Sequence, residues 1–168
     1  DKYWASYENK YPDDSGETHV FWKDYLRIYG ESLGEKEKSN VERFKSVCLG
    51  KGNLERRLSP KANRAALFII LYRDYPLLQM PFQLLNTLLD IDEQMATWRF
   101  RHINMVHRMI GLRVGTGGST GKDYLQAALN KHYIFKEIAE LTSFLVERTK
   151  LPVLDDGLVA ALSFGGKH

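Results

Sequence analysis

Residues 81–121 read PFQLLNTLLDIDEQMATWRFRHINMVHRMIGLRVGTGGSTG, and this stretch decides the fold class. From Pro81 to Ile110 apolar side chains recur every three or four positions, which is the period of an amphipathic helix. Pro81 and Gly111 mark the ends of one helix of about 30 residues, or roughly 45 Å. Its apolar face is predicted to carry Leu84, Leu85, Leu88, Ile91, Met95, Trp98, His102, Met105 and Met109. The other face carries Thr97, Arg101, Asn104 and Arg108.

The segments on either side of this helix have the same period. They predict helices over residues 17–30 (ending at Gly30), 35–49, 62–74 (after a Ser59 cap and Pro60), 122–129 and 133–148. No strand is predicted, because Val, Ile and Thr are scattered and no two-residue hairpin signal occurs. The chain is therefore predicted to be all-α, and its 168 residues suit a single domain over 1–168.

The composition excludes several kinds of partner. Lysine and arginine number 24 against 21 acidic residues, a net charge of +3, and this even balance predicts no nucleic-acid partner. No window approaches the roughly 18 to 20 apolar residues of a membrane span, so no membrane association is predicted. Cys48 is the only cysteine, which excludes an internal disulfide and predicts a reducing, cytoplasmic location.

His102 lies on the predicted apolar face, one turn after Trp98 and one turn before Val106, so its imidazole is predicted to point inward. A buried imidazole needs partners for both ring nitrogens, because an unpaired buried polar group costs roughly 1 to 3 kcal/mol. Helical spacing alone favours a core histidine satisfied by a carbonyl or a water. A metal on one nitrogen is the alternative, and haem needs only one protein ligand. No other histidine has zinc-site spacing.

Residues 115–123 read GTGGSTGKD and only superficially match a P-loop. Thr116 stands where the first glycine of that motif belongs, and Asp123 replaces the hydroxyl that binds magnesium. Glycine adopts positive φ without a Cβ clash, so the backbone here can approach a small ligand closely. A mobile linker is the alternative, although Thr116 and Thr120 are stiff at χ1 and unusual in linkers.

Eight ordered blocks of the sequence resemble the C-terminal half of the tryptophan 2,3-dioxygenases, most densely over residues 54–129. They are Glu55–Ser59, Ala66–Ile69, Tyr72–Pro76, Pro81–Leu85, Asp90–Asp92, Trp98–His102, Met105–Gly111 and Gly115–Ser119. Agreement over eight ordered blocks is more specific than any single motif. The resemblance implies a helical bundle of the tryptophan and indoleamine 2,3-dioxygenase type, with one long helix that carries the proximal haem histidine.

The resemblance also implies a role for particular residues. His102 corresponds to the ligand of the haem iron, and Trp98 to the neighbour that holds its imidazole. Thr116 corresponds to the residue that binds the ammonium and carboxylate end of the substrate. The loop over the haem edge would be shaped by Gly117, Gly118 and Ser119. No side chain is assigned as catalytic, because haem carries the oxygen chemistry.

The implied reaction is cleavage of the indole 2,3 bond of L-tryptophan by O2, giving N-formylkynurenine in the first step of tryptophan catabolism through the kynurenine pathway. The implied cofactor is haem b, and the implied assembly is a homotetramer. Members of the family also have an N-terminal half whose His-Gln-x-x-Glu-Leu-Trp-Phe-Lys-like helix supplies the distal pocket. This sequence contains no such run. The chain is then either one piece of a cleaved or split dioxygenase whose N-terminal piece stays bound, or a truncated relative without the full activity. We expect the first, in which an N-terminal segment of the same protein completes the site.

Two other functions stay open from the sequence. A tryptophan-modifying haem monooxygenase of the same fold would differ in distal-pocket residues that this chain does not contain. A non-catalytic helical interaction module that has lost haem would keep only the fold. The joint presence of Trp98, His102 and Thr116 argues against the module, because a scaffold has no need of all three.

Overall fold

Helices are the regular structure of every described part of this chain. The computed structural model describes residues 20–51, 56–110 and 133–163, and no strand occurs in these ranges. Its α-helices are α1 Val20–Ser32, α2 Ser39–Leu49, α3 Pro60–Leu71, α4 Pro76–Ile110, α5 Lys136–Glu140 and α6 Asp156–Leu162. Short 3₁₀ turns occur at Glu35–Glu37, Leu141–Phe144 and Arg148–Lys150. The all-α prediction is confirmed, while the helix predicted over 122–129 lies outside the described residues.

The chain divides into two compact units. The first comprises Asp1–Leu84 and Glu137–His168, and the second comprises Leu85–Lys136. The prediction of a single domain over residues 1–168 stays a prediction. Within the described ranges, none of the helices combines the length and the apolarity that crossing a membrane requires.

An aromatic core holds the first unit together. Phe44 of α2 lies at its centre and is fully buried, with ring centroids 5.4 to 6.3 Å from four other aromatic rings: Trp22, Tyr25, Tyr29 and Phe144. The hydroxyl of Tyr25 donates to the Phe144 carbonyl (2.5 Å), and that of Tyr29 donates to the Ser143 carbonyl (3.0 Å). Each buried hydroxyl is thus satisfied within the core. Helical spacing predicts an apolar face in each of the first two helices. In α1, Phe21 and Tyr25 of that face are buried and Ile28 is half-buried. In α2, Phe44, Val47 and Cys48 are buried and Val41 is half-buried.

The predicted start of α3 is also confirmed. Ser59 has extended backbone and its Oγ accepts a hydrogen bond from the Ala62 N–H (3.1 Å), and Pro60 occupies the first helical position. The helix ends at Leu71 rather than at the predicted Asp74, and a turn follows.

Two predicted boundaries at helix-breaking residues are wrong. α1 continues through Gly30 to Ser32, because glycine in a helix costs only about 1 kcal/mol relative to alanine. α4 begins at Pro76, not at Pro81, and continues through Pro81. Proline suits the first turn of a helix, and Pro81 removes a single hydrogen bond close to the beginning of a long helix. The remaining bonds of α4 are enough to continue it.

The prediction of a single helix over residues 133–148 is also wrong. α5 covers only Lys136–Glu140, a 3₁₀ turn follows at Leu141–Phe144, and Leu145 is extended. The hydroxyl of Thr142 donates to the Ala139 carbonyl (2.7 Å), and that of Ser143 donates to the Glu140 carbonyl (2.7 Å). Side-chain hydroxyls that bond nearby carbonyls compete with the helical ladder, so the last turn tightens and the helix ends.

Four charged side chains of the first unit form what we call the Arg–Glu cluster: Arg43, Arg56, Glu137 and Glu140. Glu140 accepts from Arg43 Nε (2.7 Å) and from Arg56 Nη1 (2.7 Å), and the Arg56 side chain is only 9% exposed. Glu137 accepts from the backbone N–H groups of Arg57 and Leu58, at 2.9 Å each. The cluster therefore fixes α5 to the chain just before α3.

This cluster predicts a loss of stability in acid. Burial by itself would raise the pKa of Glu140, but hydrogen bonds from Arg56 and Arg43 outweigh it and hold the pKa below its usual 4.5. For Glu137, burial is outweighed in the same way by the Arg57 and Leu58 N–H groups, which also lower its pKa. A carboxylate whose pKa is lower in the folded than in the unfolded protein stabilises the fold fully at pH values above its unfolded-state pKa. This contribution is lost as the pH falls through its folded-state pKa.

We expect the free energy of unfolding to be level above about pH 5 and to fall below about pH 4.5. Urea unfolding at a series of pH values measures it. Glu140→Gln should flatten the decline, and Glu42→Gln, at an exposed position of α2, should keep it. An unaltered acid decline in Glu140→Gln would show that other carboxylates cause it.

Candidate functional site

The second unit carries a row of exposed apolar side chains along α4. Six residues that follow each other at intervals of three or four positions form what we call the apolar stripe: Ile91, Met95, Trp98, His102, Met105 and Met109. Every member is exposed, for example Trp98 at 58% and Met109 at 78%. Residues at this spacing share one helix face, so the stripe is continuous over about 27 Å.

The predicted inward orientation of His102 is therefore wrong for this chain. The buried side of α4 in the second unit carries Asp92 and Ile103, with Ala96, Arg99 and Val106 half-buried between and beside them. Successive residues of a helix are about 100° apart, so His102 lies about 100° around the helix from Ile103. Spacing alone cannot separate these two rows, because both recur at intervals of three or four residues. The predicted polar face is confirmed, since Thr97, Arg101, Asn104 and Arg108 are exposed.

Trp98 and His102 form a stacked pair on the apolar stripe. Their ring centroids are 5.3 Å apart and their planes differ by 12°. Residues four apart on a helix are neighbours, so the helix itself positions the pair. No described residue forms a hydrogen bond with the imidazole, so within the described part of the chain its nitrogens are available to a ligand.

A metal centre built from several side chains is not found within residues 20–51, 56–110 and 133–163, where no three His, Cys, Asp or Glu residues are grouped suitably. One exposed imidazole on an apolar face suits a metal that is already held in a flat, largely apolar group.

A surface depression of about 440 Å³ lies beside the stacked pair. Trp98 contributes to it, and the remaining lining is polar: Asp90, Glu93, Gln94, Thr97 and Arg101. His102 is not part of the lining. The depression therefore lies next to the stripe, on the polar side of Trp98.

Asp92 is a buried charged residue of α4, and the sequence predicted no role for it. It is 5% exposed, and its two carboxylate oxygens accept from the N–H groups of Ile134 (3.0 Å) and Phe135 (2.6 Å). A pattern in the sequence could have indicated it: Asp92 lies at helical spacing from a row of residues that shares its face of α4, namely Ala96, Arg99, Ile103 and Val106. A carboxylate at a buried helix position requires hydrogen-bond donors from elsewhere in the chain.

The structure thus brings together two of the predicted site residues, Trp98 and His102. The predicted substrate-binding residues Thr116, Gly117, Gly118 and Ser119 lie outside the described residues. Their roles stay predictions.

Comparison with known proteins places these features in a family. The family model for tryptophan 2,3-dioxygenase matches residues 10–145. The tryptophan 2,3-dioxygenase of Bdellovibrio bacteriovorus is 50% identical over 108 residues, which cover 64% of this chain and 30% of the relative. That of Xenopus tropicalis is 47% identical over 136 residues, which cover 76% of this chain and 33% of the relative. That of Dictyostelium discoideum is 41% identical over 170 residues, covering 90% and 40%.

The chain spans 30 to 40% of the length of these three relatives. The match of the family model covers most of the chain and includes both members of the stacked pair and Asp92. The chain belongs to the tryptophan 2,3-dioxygenase family.

Proposed function

We propose that this chain is the haem-binding part of a dioxygenase that cleaves the indole 2,3 bond of L-tryptophan with O2. The product would be N-formylkynurenine, formed in the first step of tryptophan catabolism through the kynurenine pathway. The observation that carries the proposal is the exposed imidazole of His102, stacked on Trp98 within an apolar stripe. Membership of the family supports it.

The residues present fit haem b as the cofactor. His102 offers an accessible nitrogen donor, and the stripe residues around it (Met95, Met105 and Met109) offer exposed apolar surface to a flat macrocycle. When bound, haem supplies the activation of O2. A histidine that would hold the iron needs a fixed ring orientation, and the stacked contact with Trp98 restricts rotation of the imidazole. We therefore assign iron ligation to His102 and orientation of the ligand to Trp98.

The segment 115–119 is proposed to bind the amino-acid end of tryptophan. Thr116 would contact the ammonium and carboxylate groups, while the backbone at Gly117 and Gly118 and the hydroxyl of Ser119 would shape the segment around the substrate. Glycine allows backbone N–H groups to approach a ligand closely, and such groups favour a carboxylate. These residues act by binding and orienting the substrate.

The remainder of the dioxygenase is proposed to cover the apolar stripe. Soluble monomers rarely leave large contiguous apolar patches in water, and the relatives are about three times as long as the matched part of this chain. An N-terminal segment of the same protein is the proposed partner, supplying the distal side of the site. We further propose a homotetramer located in the cytoplasm.

The proposal is tested with the chain purified together with whatever polypeptide accompanies it. Haem, a reductant, L-tryptophan and O2 are added, and products are separated by chromatography and identified by mass. N-formylkynurenine, carrying two added oxygen atoms, supports the dioxygenase. A product with one added oxygen indicates the monooxygenase instead. Absence of haem absorbance after reconstitution indicates the non-catalytic interaction module.

Thr116→Ala is expected to weaken tryptophan binding while haem stays bound. A lost hydrogen bond to a charged group corresponds to an increase in Kd of about tenfold to a hundredfold. Calorimetric titration with L-tryptophan measures the change, and the haem absorbance per chain checks that the cofactor is retained. Thr142→Ala, at an exposed hydroxyl of the first unit, serves as the control. An unchanged Kd in Thr116→Ala would refute the role given to this residue.

A further inference from the structure

One side of α4 carries exposed charges of opposite sign at its two ends. Asp90 lies near the beginning of the part of α4 that belongs to the second unit, and Arg101 and Arg108 lie towards its end. All three side chains are exposed, and none forms an ion pair with another residue of the described part of the chain. Asp90 and Arg108 are about 27 Å apart along the helix axis, so the two ends cannot neutralise each other.

These charges form one continuous row. Asp90 and Arg108 are separated by five helical turns of 3.6 residues, so both side chains leave the helix at the same angle. Thr97 and Arg101 lie within about 20° of that angle, one on each side. We call Asp90, Thr97, Arg101 and Arg108 the charged row. The first three of these residues also line the surface depression of about 440 Å³.

An exposed aromatic ring lies beside the middle of the charged row. Phe100 is 55% exposed and lies about 100° around the helix from Arg101. It belongs neither to the apolar stripe nor to the buried side of α4. Aromatic and arginine side chains are enriched at the centres of protein contacts, where a few of them carry most of the binding energy. Phe100 and the charged row together therefore have the composition of a contact surface.

We infer that the charged row is a contact surface for a second copy of this chain, with the two α4 helices antiparallel. Position 99 is the midpoint between Asp90 and Arg108, and a two-fold axis beside it makes the row self-complementary. Asp90 of each copy then lies opposite Arg108 of the other, and Thr97 lies opposite Arg101. Phe100 lies next to Phe100 of the second copy, close to the axis.

The charge pattern selects this occupant and this direction. Parallel helices would place Asp90 against Asp90 and Arg108 against Arg108, and like charges that face each other across a contact are unfavourable. Exposed charge pairs set register and orientation more than affinity, so the contact should be of modest strength and should weaken with salt. His102 lies about 100° around the helix from Arg101, outside the charged row. The inference rests on the proposed homotetramer, of which a two-fold pair is a building unit, and not on the proposed reaction.

Charge reversal tests the contact in the full chain. Asp90→Arg and Arg108→Asp each place like charges opposite each other twice, because the contact is two-fold. We expect each to raise the dissociation constant of self-association about tenfold or more, as measured by sedimentation equilibrium. The double variant Asp90→Arg/Arg108→Asp restores opposite charges, so its dissociation constant should return to within about threefold of the wild type. Circular dichroism checks that every variant keeps its helix content.

Phe100→Ala tests the centre of the same contact. It should raise the dissociation constant about tenfold or more, because truncating a central aromatic anchor commonly costs at least that factor. The free energy of unfolding of the dissociated chain should change little, since the ring is exposed in the single chain. A residue that only supported the fold would give the opposite pattern.

Glu42→Arg is the matched control. It changes the charge of the chain by the same amount as Asp90→Arg, at an exposed position of α2 in the first unit. Its dissociation constant should equal that of the wild type.

The negative outcomes are distinguishable. Single reversals that self-associate like the wild type overturn the inference, and if they also lose a co-purifying N-terminal polypeptide, that segment covers the charged row instead. Weakened association without rescue in the double variant overturns the antiparallel pairing. A wild type that stays monomeric at every concentration overturns the proposed homotetramer as well. Haem binding and product formation are measured separately, so none of these outcomes decides the proposed reaction.

Discussion

His102→Ala is expected to remove haem from the protein and to abolish formation of N-formylkynurenine. Replacing groups that merely orient a metal ligand typically reduces metal affinity 10- to 100-fold, so loss of the ligand itself should exceed about 100-fold. The haem absorbance per chain after reconstitution and gel filtration measures the cofactor, and product formation measures the activity. Added imidazole should restore part of the absorbance in His102→Gly, because it replaces the missing donor in the space left beside Trp98.

Asn104→Ala is the matched control for this prediction. Asn104 is exposed and lies two residues along α4 from His102, on the predicted polar face. Its replacement should leave haem content and product formation unchanged. A His102→Ala protein with wild-type haem content and an unaltered absorbance spectrum would contradict the assignment of the ligand.

Phe44→Ala is expected to have the largest effect on stability. Phe44 is fully buried, and its ring lies next to four other aromatic rings: those of Trp22, Tyr25, Tyr29 and Phe144. Removing a buried phenylalanine side chain costs about 3 to 5 kcal/mol, because burial is lost and a cavity remains. Domains of this size are commonly stable by only about 5 to 15 kcal/mol, so the variant should be close to unfolding at ambient temperature. Urea unfolding followed by circular dichroism measures the change.

Phe100→Ala provides the comparison for that measurement. Phe100 is 55% exposed on α4, and exposed substitutions usually change the free energy of unfolding by no more than about 0.5 kcal/mol. Equal midpoints for Phe44→Ala and Phe100→Ala would mean that the aromatic core does not limit the stability of the chain.

Features that depend on neighbouring residues could be predicted from the sequence. The cap at Ser59 and Pro60 was predicted correctly, because a hydroxyl and a proline at these positions satisfy requirements of one helix turn. Three of the four residues predicted for the apolar stripe of α2 are buried, because Phe44, Val47 and Cys48 share one face in any helix of that register; Val41 is half-buried. The stacked pair follows from the same rule, since Trp98 and His102 are four residues apart.

Features that depend on distant residues could not be predicted. Which row of α4 is buried depends on what packs against it, and an exposed apolar row has the same period as a buried one. Asp92 has its donors 42 and 43 residues later in the chain, so no local pattern indicates them. The break at Leu141–Phe144 is different, because its signal is local: the Thr142 and Ser143 hydroxyls bond carbonyls three residues earlier, and Ser and Thr compete with the helical ladder in this way.

Cys48 allows the opening of the first unit to be measured by chemical labelling. It is the only cysteine of the chain, its side chain is fully buried beside the aromatic core, and burial raises the pKa of its thiol to about 12. The thiolate is the reactive form, so the folded protein should be inert to alkylating reagents at neutral pH. Any labelling that occurs must pass through an opening of the first unit. The mass added per chain over time thus measures how often the first unit opens. An opening confined to the second unit, which contains Trp98 and His102, would add no mass.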